Sequence, residues 1–236
     1  SSVSWVFFDR LLVSIQFHNL MAFFHVCLFV YAIGGDIAVY YIGNYLTKDE
    51  LSLEERLRVR SMRFIVDMSA RTSLVLLLPI GFTLATSWGS SIRGSLLAII
   101  WVFCIAWLIL VWMVHFKKGT SLGELLRKID LIIRYLIASI LACLGTYTLS
   151  TNNIIVSDWL SLKIILFGAI LFNGIWIRSI VGKMAASIER AKNSNHEIKE
   201  RGENEIKNHQ SLLNKAALLI WLLVIMMAFL GEVKPF

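Results

Sequence analysis

The chain has little of what soluble enzymes and secreted domains rely on. Of its 236 residues, 17% are charged, three are cysteine and two are proline. The cysteines are odd in number and lie in apolar runs, so they predict no disulfide framework. The sequence also lacks a phosphate-binding glycine loop, a paired-cysteine metal motif and a histidine pair around a catalytic glutamate. These absences disfavour soluble nucleotide chemistry, and no catalytic residue is assigned.

Long apolar runs are what the sequence has instead. Hydrophobic residues make up 57% of the chain, and the mean hydropathy is +0.70. Six runs are long enough to cross a bilayer: 18–46, 62–88, 94–116, 131–150, 155–182 and 213–231. Residues 1–17 are shorter and interrupted by charge, which predicts an interfacial helix. We therefore expect one all-α membrane domain, a polytopic transmembrane helical bundle with the lipid bilayer as its principal partner.

The net charge of +7 is explained by where the basic residues lie. They concentrate in the first, third and fifth connections between spans, whereas the second connection has only Arg93 and the fourth has none. The positive-inside rule then places connections one, three and five in the cytoplasm, including a charged connection over residues 183–212, with both termini periplasmic. We expect a bacterial inner-membrane protein and no nucleic-acid partner.

The first span carries an unusual set of polar side chains on one helix face. At about 100° per residue, the face combines His18, Met21, His25, Asp36 and Tyr40. Ionisable groups are expensive within a membrane, so this face predicts a site inside the bundle. At helical rise the two histidines lie about 10 Å apart, too far to share one metal ion, and each needs a ligand from another helix.

Two cofactors suit this face. His25 could ligate haem b, alone or with Met226 or Met227 of the last span. A copper site could use His18, Met21 and His25, because copper accepts soft and borderline ligands. The alternative is that His25 only forms a hydrogen bond within the bundle and that no cofactor is bound.

The second span contains an intramembrane ion pair. Asp67 and Arg71 are four residues apart, so they can neutralise each other on one helix face. Asp36 of the first span is expected at similar depth, and the three residues predict a polar network that is either a proton or substrate path or a structural ion-pair network. Arg178 of the fifth span is expected to snorkel to the cytoplasmic surface.

The run from Phe24 and His25 to Gly34-Gly35 resembles membrane families that include the copper-resistance D-type proteins and the HemJ-type protoporphyrinogen oxidases. With Asp36, the DMSAR segment around Asp67 and the LLLPIG run, it is more similar still to a related family of bacterial integral membrane proteins of unassigned function. In the HemJ-type branch the first-span histidine is associated with haem b. The resemblance therefore implies that His25 is a haem ligand.

Three functions remain open at this point. The first is a haem b-binding redox protein that meets a redox partner, and the second is a copper-handling protein. The third is a cofactor-free accessory or scaffold subunit whose small-residue faces contact other subunits of a membrane complex.

Overall fold

A computed structural model describes residues 16–235, which form six long α-helices and no β-sheet. The helices are α1 (Phe17–Asn44), α2 (Leu53–Ala85), α3 (Ser95–Phe116), α4 (Ser121–Thr151), α5 (Asp158–Ala191) and α6 (His196–Val233). All six are long and apolar enough to cross a membrane. The predicted all-α, multi-pass bundle is confirmed, while the interfacial helix predicted over 1–17 lies outside the described residues except for Gln16 and the first residue of α1.

The helices form a ring in chain order. Each one packs against the next, and α6 packs back against α1. The most central is α5, because half of its most apolar window is buried, against 6% for α1. The outward faces of α1, α3, α4 and α6 carry exposed large apolar side chains, as expected where helices meet lipid.

Three of the connections lie together on one side of the ring, which we call the basic side: residues 45–52, 117–120 and 192–195. Four helices extend farther toward this side than the apolar runs predicted. Helices α2, α4 and α6 begin at Leu53, Ser121 and His196, whereas the predicted spans begin at 62, 131 and 213. Helix α5 ends at Ala191, whereas the predicted span ends at 182.

Caps explain the extensions that begin a helix. Ser52 and Glu55 form a reciprocal capping box at the start of α2, and Thr120 and Asn195 accept backbone N–H groups at the starts of α4 and α6. The α5–α6 turn lies at residues 192–195, within the charged connection of residues 183–212. Gly202 of α6 is buried against the backbone of Ala191, where a side chain would not fit.

The connections on the opposite side of the ring also contact one another. Ser90 and Ile155 form an isolated antiparallel bridge, and the rings of Trp88 and Trp159 pack edge to face. Between these two ends, apolar side chains from α2 to α6 fill the interior of the ring. Any polar side chain inside the ring is therefore surrounded by closely packed apolar side chains.

Candidate functional site: a charge network and an unpaired histidine

Asp130 of α4 is the centre of a charge network inside the basic half of the ring. Its side chain is fully buried. It accepts a hydrogen bond from Trp107 Nε1 of α3 at 2.9 Å and from Arg134 Nε of its own helix at 3.2 Å. Arg178 of α5 contributes a third contact, Nη2 to Oδ2, at 2.6 Å. One carboxylate thus joins three consecutive helices.

The expectation that Arg178 reaches the membrane surface is wrong. Its side chain is 19% exposed and turns inward to Asp130. The physical reason is that a fully buried carboxylate is stabilised by compensating positive charge, and Arg178 lies on the neighbouring helix within reach of Asp130 Oδ2.

On α2, Asp67 and Arg71 form the ion pair that their spacing suggests. Arg71 Nε donates to Asp67 Oδ2 at 2.7 Å, and the two side chains remain 32% and 27% exposed for Arg71 and Asp67. Arg71 is also close enough to Asp130 and Arg134 for their charges to interact. The α2 pair therefore belongs to the same network as Asp130.

Asp36 of α1 joins the network's edge without a bond to Arg71. Its carboxylate accepts a hydrogen bond from Trp221 Nε1 of α6 at 3.1 Å. The charges of Asp67 and Arg63 lie within electrostatic range of it. The three predicted network residues are thus brought to one region, with Asp36 held by α6.

His25 lies in the other half of the bundle. It precedes Asp36 by 11 residues, which is about 16 Å along α1. Its Nδ1 is buried and has no hydrogen-bond partner. Its ring faces Gly81 of α2, with Cε1 3.9 Å from where a side chain on that glycine would begin. The structure therefore leaves the polar capacity of this imidazole unmet.

Lys163 of α5 lies within electrostatic range of this histidine. Its charge acts on His25, and its Nζ lies against Gly231 of α6, 2.6 Å from where a Cβ would be. Within residues 16–235 it has no hydrogen bond or ion pair. A cation and an unpaired imidazole thus lie close together in this half of the ring.

The remaining predicted ligands are spread out. His18 Nδ1 is 3.1 Å from Ser87 Oγ, two residues after α2, and Met21 is half-buried one turn along α1. Helices α1 and α6 run antiparallel, with Asp36 beside Trp221, which places His25 level with Gly231 and Glu232. Met226 and Met227 then lie about 7 to 9 Å farther toward the basic side.

Among the residues that the structure describes, no group of three or more His, Cys, Asp or Glu side chains is arranged to hold a metal ion. The site residues that sequence analysis missed are Trp107, Asp130 and Arg134. A signal was present, because Asp130 and Arg134 repeat the four-residue spacing of the α2 pair. Asp130 lies one residue before the predicted fourth span, 131–150, so the spacing does not fall within one apolar run.

Comparisons of this chain with protein-family models, with curated proteins and with solved structures find no match. The site is therefore interpreted from its own chemistry.

Proposed function

We propose that this multi-pass membrane protein is a haem b redox protein in which His25 would bind the haem iron. The observation that carries the proposal is the buried Nδ1 of His25, which has no hydrogen-bond partner. Leaving such a group unsatisfied is costly, so a buried imidazole with spare bonding capacity calls for a ligand. Haem b, when bound, would supply one-electron chemistry, with its potential set by ligation and by the dryness of the site.

Lys163 gives the proposal a second support. Haem b carries two carboxylate groups, and a cation beside the axial histidine can bind one of them by a charge-assisted hydrogen bond. Lys163 lies close to His25 and has no carboxylate partner within the described part of the chain. It would hold the cofactor's carboxylate and orient the ring.

Met226 and Met227 are poorly placed to act as a second haem ligand together with His25. At an offset of about 7 to 9 Å along the bundle, Met226 or Met227 is far from the level of His25. Met226 is also 42% exposed on the outer face of α6. We therefore favour His25 as the sole protein ligand.

Copper handling is the weaker alternative. A protein copper site needs several ligands, whereas haem iron can be held by one. His18, Met21 and His25 lie along one helix, and His18 already contacts Ser87. Among residues 16–235, no group of three or more His, Cys, Asp or Glu side chains is arranged to hold a metal ion.

The test is a reduced-minus-oxidised absorption spectrum of gently purified protein. We expect haem bands in the wild type, their loss in His25→Ala and their retention in His196→Ala, which changes a histidine whose side chain is 92% exposed. Lys163→Gln should keep the bands at lower haem occupancy. An unchanged spectrum in His25→Ala contradicts the proposal.

A featureless spectrum of folded wild-type protein also contradicts haem binding. Metal analysis of the same sample would then decide for or against copper. Without copper, co-purifying membrane proteins would favour the accessory-subunit function, and a lone, monodisperse protein would argue against it.

For orientation, we propose that the basic side faces the cytoplasm of a bacterial inner membrane, because the basic connections collect there. Single cysteines at Asn195 and Asn153 probe the two sides, since both residues are exposed in connections. An impermeant thiol reagent added to spheroplasts, in a background without the native cysteines, should label position 153 and spare 195. The reverse pattern would invert the topology.

A further inference from the structure

Among the residues that the structure describes, the charge network around Asp130 has more cations than carboxylates. Its carboxylates are Asp36, Asp67 and Asp130. Six cations lie within electrostatic range of these carboxylates or of one another, which is twice the number of carboxylates. They are Arg60, Arg63, Arg71, Lys118, Arg134 and Arg178. We call these six residues the cation cluster. Arginine stays protonated in proteins, so the excess is a real positive charge.

The cluster leads from the surface into the bundle. At its rim, Lys118 Nζ lies 3.7 Å from the ring centre of Phe64, and the Arg60 guanidinium packs 5.4 Å from the same ring. From Arg60 to Arg71 is about 16 Å along α2. Arg71 lies near Arg134 and Arg178 at the deep end. An anion arriving from the basic side would therefore meet cations at every depth.

The deep end of the cluster contains a buried guanidinium donor of Arg134 that has no hydrogen-bond partner. Arg134 is 5% exposed, its Nε donates to Asp130, and its guanidinium packs 5.3 Å from the Trp107 ring centre. Its Nη2 is buried and has no hydrogen-bond partner. At the rim, Arg60 Nε is buried and unpartnered in the same way. Buried guanidinium donors without a partner, in a region of excess positive charge, are typical of a site that binds an anion.

The chemistry of the donors indicates the class of anion. Guanidinium groups present paired N–H donors that match phosphate and carboxylate oxygens. The cluster offers several guanidiniums and an excess of several charges, which favours a phosphate group over a monovalent carboxylate. The side chains of Arg71 and Asp67 are 32% and 27% exposed, so this part of the cluster is accessible from outside the bundle.

We infer that the cation cluster is a binding site for a phosphate group, entered from the basic side and reaching Arg134 Nη2. The phosphate could belong to a free phosphate compound or to the headgroup of an anionic phospholipid in the adjoining leaflet. This site is separate from His25, so the phosphate proposal does not depend on whether haem binds.

Thermal unfolding in detergent tests the free-phosphate source. Inorganic phosphate, titrated at constant ionic strength, should raise the unfolding temperature of the wild type in a saturable way. Arg134→Gln should weaken the apparent affinity at least about tenfold, because a charged hydrogen bond is lost. The matched control is Arg127→Gln on the same helix, whose side chain is 59% exposed and paired with Glu124. It should leave the affinity unchanged.

Native mass spectrometry of protein released from nanodiscs tests the lipid source. Retained phosphatidylglycerol that is lost in Arg134→Gln and kept in Arg127→Gln would identify the headgroup as the ligand, with zwitterionic phosphatidylcholine as the comparison lipid. Saturable inorganic phosphate binding without retained lipid would identify a free phosphate compound.

Arg60→Gln covers the case in which Arg134→Gln does not fold, because Arg60 lies at the rim. It should weaken binding about threefold or more in whichever arm is positive. Neither phosphate stabilisation nor retained lipid in folded wild-type protein would overturn the inference. Binding that survives both Arg134→Gln and Arg60→Gln undiminished would overturn it as well.

Discussion

The basic half of the bundle and the opposite half both contain ionisable side chains, and their surroundings differ. In the basic half, Asp130 receives donors from Trp107, Arg134 and Arg178. In the opposite half, His25 Nδ1 has no partner, and Lys163 has none within the described residues. In the first arrangement the central carboxylate is fully bonded, and what is left over is guanidinium donors, among them Arg134 Nη2. The second lacks a bonding partner altogether.

This difference distinguishes Asp130, whose charge stabilises helix packing, from His25, whose imidazole is available to a ligand. A carboxylate bonded from three helices fixes how those helices pack, so its removal should be felt throughout the fold. An imidazole without a partner contributes little to packing specificity, so its removal should be felt mainly in binding. Substitutions of Asp130 and of His25 should therefore have opposite effects when stability and binding are measured side by side.

The largest effect on stability is expected for Asp130→Asn. The substitution leaves Arg134 and Arg178 without their buried carboxylate, which should lower the free energy of unfolding by about 3 to 5 kcal/mol. Glu124→Gln on the same helix is the control. Its exposed pair with Arg127 should contribute at most about 1 kcal/mol. Denaturant unfolding in detergent compares them, and equal effects would mean that Asp130 does not organise the basic half.

A smaller loss is expected for Trp107→Phe. The phenyl ring keeps most of the packing but removes the Nε1 donor to Asp130, which should cost about 1 to 3 kcal/mol. Trp112→Phe, on the same helix and 36% exposed, should change stability by about 0.5 kcal/mol or less. If both variants unfold alike, the indole hydrogen bond is not part of what stabilises the network.

How far these contrasts follow from sequence differs between the halves. The six apolar runs predicted the bundle, because hydrophobic length is read directly from composition. The Asp67–Arg71 spacing likewise suggested their ion pair, since i,i+4 neighbours meet on any helix. Arg178 could not be paired with Asp130 in this way, because that contact depends on which helices are neighbours in the ring. The missing partner of His25 is likewise a property of packing that no single segment encodes.

His25→Leu should have little effect on stability. Leucine fills a similar volume and removes a buried polar atom that makes no hydrogen bond, so the free energy of unfolding should change by about 1 kcal/mol or less. The measurement is made on protein without haem, so that ligand binding does not contribute to stability. A loss as large as that of Asp130→Asn would show that His25 is bonded after all and would remove the contrast between the halves.

The smallest effect concerns the part of α6 beyond the predicted membrane span on the basic side. There Glu205 accepts hydrogen bonds from Arg190, Ser187 and Arg201, and the Arg190 contact holds the pKa of Glu205 below its ordinary value. A carboxyl whose pKa is lower in the folded state stabilises the fold above its unfolded pKa, about 4.3, and that stabilisation is lost as the pH falls through the folded pKa.

Acidification from pH 7 to about 3 should therefore lower the unfolding temperature of the wild type slightly more than that of Glu205→Gln, which has no such carboxyl to protonate. Glu200→Gln, on an exposed position of the same helix, should follow the wild type because Glu205 is intact. The effect is small because Glu205 is partly open to solvent, where water screens the ion pair. If Glu205→Gln and the wild type lose stability in parallel, the ion pairs of Glu205 do not contribute to the stability of the fold.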